Sequence, residues 1–344
     1  MATWFDESRL DDETALQRAD GQLRALAEAG ARVRREVANA AEATDEAVAR
    51  MLEQQSRPRA VIAAGPDSRL LRAVLEPWCP VPFVAWPGAG LPGWAGSLDL
   101  VVVLAPDGAD TGTSAALAEA VRRGLQVVVA CPANSLVADH AAGRWSHILP
   151  TSSRDQLATA VVMLEFLERI TLGPRVDAER VATAMDEVAI SCSPLRDLAV
   201  NPAKMLAIAL ADTNPLVWGG SVLAARAARR IAESIRRASG RTALAGDAEH
   251  LLPVLEATRQ RNVFDDPFAG EVGELRPMLL ILDDGSEEAL VRENRGQLQA
   301  AASARGVRVE KLTTDAPTEV ARYASLFLSG SYVAEYLRLG LVED

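Results

Sequence analysis

Short apolar runs alternate with helical stretches along most of the chain. The clearest runs are RAVIAA at 59–64, LDLVVVLA at 98–105, LQVVVA at 125–130 and RPMLLIL at 276–282. Continuous runs of Val, Ile and Leu are typical of parallel strands that are covered on both faces. Because each run is followed by a turn and a helical stretch, the sequence predicts an α/β protein. Its parallel sheets are expected to be flanked by helices in three layers, α/β/α.

The strand–helix pattern occurs twice, which predicts two domains of one class. At 344 residues the chain is long for one domain and suitable for two. The first domain is predicted over residues 1–176. It begins with helices, one capped by Asp11 and Asp12 and another at 44–55. The second is predicted over residues 177–344, with the boundary in the region 174–194.

The composition excludes several classes of function. A net charge of −11 argues against a nucleic-acid-binding protein, which usually has a basic face, and against a basic membrane-surface helix. No apolar run approaches the roughly 20 residues that cross a bilayer. The acidic amino terminus does not resemble a signal peptide, and the three cysteines lack metal-binding spacing. We therefore expect a soluble, cytoplasmic protein with reduced thiols.

Four turns follow predicted strands and could contact an anion. In open parallel sheets, ligands bind at the carboxyl ends of strands, where helix amino termini present backbone N–H groups. The candidate phosphate contacts on these turns are Ser68, Thr111, Ser114, Ser152, Arg154, Gly220 and Ser221. For any single turn, helix capping and tight-turn geometry are the better explanation, since Gly and Ser serve those purposes in many proteins.

Longer stretches of the sequence resemble a known family. The segment from strand 98–105 through the Asp/Thr/Ser turn to the helix at 156–171 resembles the SIS (phosphosugar-isomerase-type) domain. The second half is similar to the carboxyl-terminal part of bacterial bifunctional phosphoglucose/phosphomannose isomerases, in its divergent actinobacterial branch. The stretches that carry this resemblance are NPAKMLAIALADTNPLVWGGS, RPMLLILDDGSE and ARYASLFLSGSYVAEYLRLGL.

The resemblance implies two SIS-type domains and a hexose 6-phosphate ligand, such as the 6-phosphate of glucose, mannose or fructose. It also implies a homodimer whose sites are completed across subunits, and it requires no metal or organic cofactor. Isomerisation of an aldose to a ketose needs a base that moves a proton between C1 and C2, and a group that opens the ring. By resemblance, Glu233 matches the base and His250 the ring-opening group.

Both candidate catalytic residues have a structural alternative. Glu233 precedes Arg236 and Arg237 by three and four residues, so it is also explained as a helix-surface carboxylate with cationic partners. His250 is also explained as a structural histidine near a helix start. In place of the polar residues that flank the family's histidine, this chain has Leu251 and Leu252.

The predicted phosphate turns also depart from the family pattern. Pro66 removes a backbone donor, Asp67 adds a negative charge, and Asp107 and Asp110 make the second turn acidic. Two functions therefore remain open. One is an isomerase that acts on hexose 6-phosphates. The other is a non-catalytic SIS-domain sensor or regulator that binds a sugar phosphate or a nucleotide sugar.

Overall fold

The computed structural model describes residues 3–53, 57–260 and 275–343. The helices are α1 Glu13–Ala27, α2 Ala29–Glu53, α3 Ser68–Leu75, α4 Thr111–Arg122, α5 Leu136–Ala141, α6 Gln156–Arg169, α7 Ala178–Ser191, α8 Pro202–Leu210, α9 Val222–Ser239, α10 Ala248–Glu256, α11 Ala289–Ala304 and α12 Glu319–Gly340. The strands are β1 Thr3–Phe5, β2 Val61–Ala64, β3 Phe83–Trp86, β4 Leu100–Leu104, β5 Gln126–Cys131, β6 Ser146–Pro150, β7 Thr213–Gly219, β8 Leu244–Ala245, β9 Arg276–Asp283, β10 Val309–Thr313 and β11 Leu341–Glu343.

The chain divides into two compact units. The continuous unit spans Ala29–Ala182, and the discontinuous unit joins Met1–Glu28 to Thr183–Asp344. The continuous unit contains a five-stranded parallel sheet in the order β3-β2-β4-β5-β6. Every residue of β2 and β4 is buried, which agrees with their unbroken apolar sequence. Helices α4 and α5 pack on one face through residues such as Leu117 and Val137, whereas α6 packs against β4 and β5.

The discontinuous unit contains a four-stranded parallel sheet in the order β10-β9-β7-β8. One face of β7 and β9 packs with α10 and α11 in a core that includes Trp218, Ile281, Leu251 and Leu298. Helices α9 and α12 pack against each other, and α9 also contacts β7. The predicted fold class is confirmed: the five-stranded and the four-stranded sheets are both parallel and flanked by helices.

The amino-terminal segment groups with the second half of the chain, whereas the predicted division placed it with the first. The reason is a set of long-range contacts that local sequence does not reveal. Strand β1 pairs antiparallel with β11, α1 contacts α12, and Asp11 accepts a hydrogen bond from Lys204 at 2.6 Å. Along the chain, the boundary between the units falls within α7, between residues 182 and 183. The predicted boundary was between residues 176 and 177.

Local signals predicted several helix starts well. Asp12 caps α1 by accepting from the Ala15 N–H at 2.7 Å, and Asn201 caps α8 just before Pro202. The helix predicted at 44–55 is the second half of the longer α2, and residues 54 and 55 lie outside the described residues. Strand β8 is only two residues long, Leu244–Ala245.

Candidate functional site

Two buried hydroxyls lie beyond the carboxyl ends of the neighbouring strands β2 and β4. Ser68 begins α3 and is only 1% exposed, and Thr113, in the first turn of α4, is equally buried. Neither hydroxyl has a hydrogen-bond partner among the described residues. The chain passes close to Thr113 at Gly65, whose φ is +88° and whose added Cβ would lie 2.8 Å from Thr113 Oγ1. Unpartnered buried hydroxyls are costly, so this edge of the sheet is suited to a polar ligand or water.

In the turn after β4, the residue with a free hydroxyl is not one of the predicted phosphate contacts. Thr111 is exposed at the start of α4, and the Ser114 hydroxyl donates to the Asp110 carbonyl at 2.9 Å. The unpartnered hydroxyl in this turn belongs to Thr113, which sequence reasoning missed. The spacing Asp-x-x-Thr could have indicated it, because an Asp at the N-cap accepts from the N–H three residues later. The Asp110 carboxylate does accept from the Thr113 N–H, at 2.6 Å.

The turn after β6 is bound to a carboxylate from α2. Glu36 accepts from the Ser152 N–H at 2.7 Å, the Ser152 hydroxyl at 2.9 Å and the Ser153 N–H at 2.7 Å. Its side chain is 0% exposed. Burial by itself raises the pKa of Glu36, but the hydrogen bonds from Ser152 and Ser153 together lower it below the usual value. The predicted phosphate contact Ser152 thus already holds an internal anion.

Arg154, the predicted charged contact, faces a carboxylate as well. Its Nε lies 3.6 Å from Asp107 Oδ1, and both side chains are mostly exposed. The structure therefore brings together the turns after β4 and β6, but through an ion pair within the protein. An exposed pair of this kind contributes little to stability, and Arg154 could exchange Asp107 for another anion.

The Gly219-Gly220-Ser221 turn in the discontinuous unit is tightly packed. Ser221 caps α9 by accepting from the Ala224 N–H at 3.1 Å, and its hydroxyl donates to Asp284 beyond β9. Gly220 packs against Trp218 and Val291, so that an added Cβ would overlap both side chains. The predicted contacts Gly220 and Ser221 are therefore at the carboxyl edge of the sheet, with the hydroxyl already bonded to a carboxylate.

The candidate catalytic residues lie in different surroundings. The Glu233 carboxylate contacts Arg230 at 2.8 Å and Arg237 at 2.5 Å on its own helix. Glu233 lies twelve residues after Ser221, about 18 Å along the α9 axis, and so away from the carboxyl edge of the sheet. His250 is in the first turn of α10, beyond β8, with a side chain that is 68% exposed. In the part of the chain that the structure describes, no hydrogen bond or ion pair joins the two.

Carboxylates occupy all four predicted phosphate turns. Asp67 accepts from the Gln156 side chain, Asp110 caps α4, Glu36 binds the Ser152 turn, and Asp284 accepts from Ser221. A phosphate at any of these turns would meet a negative charge, or would compete with it for the same donors. Over the described residues, no three His, Cys, Asp or Glu side chains group as metal ligands, and no helix is long and apolar enough to span a membrane.

The second half of the chain matches a known protein family in sequence. Residues 199–340, which run from the short 3-10 helix at Leu198–Val200 to the end of α12, match the family model of the bacterial phosphoglucose isomerase C-terminal SIS domain. That stretch forms the β10-β9-β7-β8 sheet and its helices. This stretch of the second half is therefore similar to a SIS domain. No curated protein matches the chain in sequence.

Solved structures show the same fold across both units. Tagatose-6-phosphate ketose/aldose isomerase from Escherichia coli superposes with a TM-score of 0.61 at 12% identity, covering 90% of this chain and 91% of that one. The C-terminal domain of glucosamine-fructose-6-phosphate aminotransferase from Francisella tularensis gives a TM-score of 0.62 at 13% identity, covering 93% and 96%. At these identities the likeness establishes the fold alone.

Proposed function

We propose that the protein is a SIS-type sugar-phosphate protein that acts on, or binds, hexose 6-phosphates. The observation that carries the proposal is the match of residues 199–340 to the bacterial phosphoglucose isomerase domain. The buried, unpartnered hydroxyls of Ser68 and Thr113 support it, because they lie where parallel sheets bind ligands. The two structural neighbours named above are enzymes of sugar 6-phosphates by name, which is consistent with this ligand class.

For an isomerase, Glu233 would move the proton between C1 and C2, and His250 would open the ring. No hydrogen bond or ion pair joins these residues within the described chain, so the substrate would have to lie between them, or a second subunit would have to supply one of them. The exposed His250 is suited to contributing to a neighbouring subunit's site. We propose a homodimer on this basis, to be checked by light scattering. A monomer at micromolar concentration would contradict the shared site.

A second function is a non-catalytic sensor or regulator that binds a sugar phosphate or nucleotide sugar. Two observations favour it. Internal carboxylates hold the donors of the predicted phosphate turns, and two arginines neutralise the candidate base Glu233. Because both of these partners already contact the Glu233 carboxylate, a sugar would have to displace them to reach it.

A coupled assay on each hexose 6-phosphate distinguishes these functions. We expect turnover in the wild-type protein and its loss in Glu233→Gln, whereas Glu293→Gln should leave it unchanged. Glu293 is the matched control because it is also a helical carboxylate with a partner four residues on. A rise in melting temperature with hexose 6-phosphate but no turnover would support the sensor. The absence of both turnover and a melting-temperature shift would contradict both functions.

A further inference from the structure

A pocket lies within the discontinuous unit, outside all four predicted turns. It has a volume of about 380 Å³, and α7, the start of α8, the segment 311–316 and α12 line it. Its position beyond the carboxyl end of β10 is the edge at which parallel sheets bind ligands. The volume is within the range of small-molecule sites, near its lower end.

Two serine hydroxyls that line this pocket have no hydrogen-bond partner among the described residues. Ser325 and Ser329 lie one turn apart on α12, are 8% and 9% exposed, and both line the pocket. Neither hydroxyl forms a hydrogen bond to another residue within 3–53, 57–260 and 275–343. Ser331, on the same helix, instead donates to the Phe327 carbonyl at 2.8 Å, as serines inside helices often do. The two lining serines therefore keep free donors and acceptors facing the pocket.

The charges around the pocket disfavour an anion. Glu187 and Asp315 are negative and Lys311 is positive, and all three are exposed at the rim. Inside, the lining is neutral: it includes apolar side chains such as Val188 and Val333 and the buried Cys192 thiol. Burial raises the pKa of Cys192, which keeps the thiol protonated near neutral pH. A hydroxyl-rich, uncharged molecule fits this lining better than a phosphate does.

We propose that this pocket binds a small uncharged polyol or monosaccharide, with Ser325 and Ser329 hydrogen-bonded to its hydroxyl groups. The apolar residues of α7 and α12 would contact the carbon skeleton, as in other small-molecule sites. The site is separate from the proposed hexose 6-phosphate site and does not depend on it. A failure of phosphosugar turnover would therefore leave this inference unchanged.

The test is calorimetric and saturation-transfer NMR titration of the full chain with D-glucose, D-mannose and D-glucitol. We expect saturable binding of at least one probe, weakened about fivefold by Ser325→Ala or Ser329→Ala, the usual effect of one hydrogen bond. Ser329→Leu should abolish binding by filling the pocket. Ser331→Ala is the matched control and should leave the affinity unchanged. Circular dichroism melting curves establish that each variant is folded.

Three results would overturn the inference. One is the absence of saturable binding for all three probes. Another is an equal loss of affinity in Ser331→Ala and Ser329→Ala, which would indicate a general effect on α12. The third is displacement of the neutral probe by hexose 6-phosphate together with loss of phosphosugar binding in Ser325→Ala, which would make this pocket the phosphosugar site itself.

Discussion

Glu36 is an ionised side chain with no exposure to solvent, and three short hydrogen bonds from Ser152 and Ser153 hold it. Such a carboxylate is stabilising only while its donors remain paired, because each buried group left without a partner costs free energy. It attaches α2 to the turn between β6 and α6. It also takes the donors that an external anion at that turn would use.

We expect Glu36→Gln to lower the free energy of unfolding of the continuous unit by about 1–3 kcal/mol, since charge-assisted bonds are replaced by poorer ones. Native-state hydrogen exchange of the amides of β4 and β5, which belong to this unit, measures the change in its free energy of unfolding. Glu42→Gln, an exposed carboxylate on the same helix, is the control and should change it by less than about 0.5 kcal/mol. Equal effects of the two substitutions would contradict the role of Glu36.

The same residue predicts a pH dependence. Because the pKa of Glu36 is lowered by folding, its contribution is complete above the unfolded value of about 4.3 and is lost as the pH falls through the lower folded value. The difference in unfolding free energy between wild-type and Glu36→Gln should therefore shrink as the pH is lowered below about 4.3. A difference that stays constant or grows in acid would show that ionisation of Glu36 is not the cause.

At the scale of elements, close packing of α9 on α12 organises the discontinuous unit. Gly330 of α12 lies directly against the side chain of Ile231 on α9, and a Cβ added there would overlap it. Arg230 lies 5.7 Å from the centroid of the Phe327 ring across the same pair of helices. Glu233 pairs with this arginine, so the candidate base also belongs to the packing of α9.

Substituting Gly330 and Gly296 by alanine should have opposite effects. Gly330→Ala overpacks the α9–α12 contact, and we expect a loss of about 1–3 kcal/mol. Gly296 is inside α11 and has no described atom within 4 Å of its added Cβ, so Gly296→Ala should stabilise by about 0.5–1 kcal/mol. Thermal unfolding measures both changes. A stabilising Gly330→Ala would mean that the two helices are not in close contact.

At the scale of the whole molecule, the discontinuous unit is assembled from distant parts of the chain. Lys204 is fully buried, and its Nζ donates to Asp11 at 2.6 Å and to the carbonyls of Pro194 and Arg196. The Tyr336 ring lies 5.6 Å from the same Nζ. Asp11 is the only carboxylate among these contacts, and it comes from the amino-terminal segment.

Asp11→Ala should therefore destabilise the discontinuous unit by about 1–3 kcal/mol, less than for a fully buried pair because Asp11 is half exposed. Hydrogen exchange can resolve the units. Amides of β9 and α12 should exchange faster in this variant, while those of β4 and β5 stay unchanged. Asp20→Ala, which removes an exposed pair with Arg24, is the control. Faster exchange confined to β4 and β5 would contradict the grouping of residues 1–28 with the second half.

The sequence by itself determined the elements and the fold class. Apolar runs such as LVVVL in β4, and caps such as Asp12, Asp110 and Ser221, are local signals that act within a few residues. The family pattern of the second half was likewise readable, since it consists of contiguous stretches. For the phosphate-binding sites, the sequence predicted only candidate turns at the ends of strands.

The tertiary structure decided which groups those turns contact. Glu36 is 116 residues from Ser152, Asp11 is 193 from Lys204, and Ser221 is 63 from Asp284. Pairings at such distances depend on how helices and loops pack, which local propensity does not encode. Conversely, Glu233 and His250 are close in sequence, but a straight helix carries Glu233 away from the sheet edge where α10 begins. The fold was therefore predictable from local patterns, and so were the carboxylates of Asp67 and Asp110 within their own turns. The contacts of Glu36 and Asp284 with the other two predicted phosphate turns were not predictable.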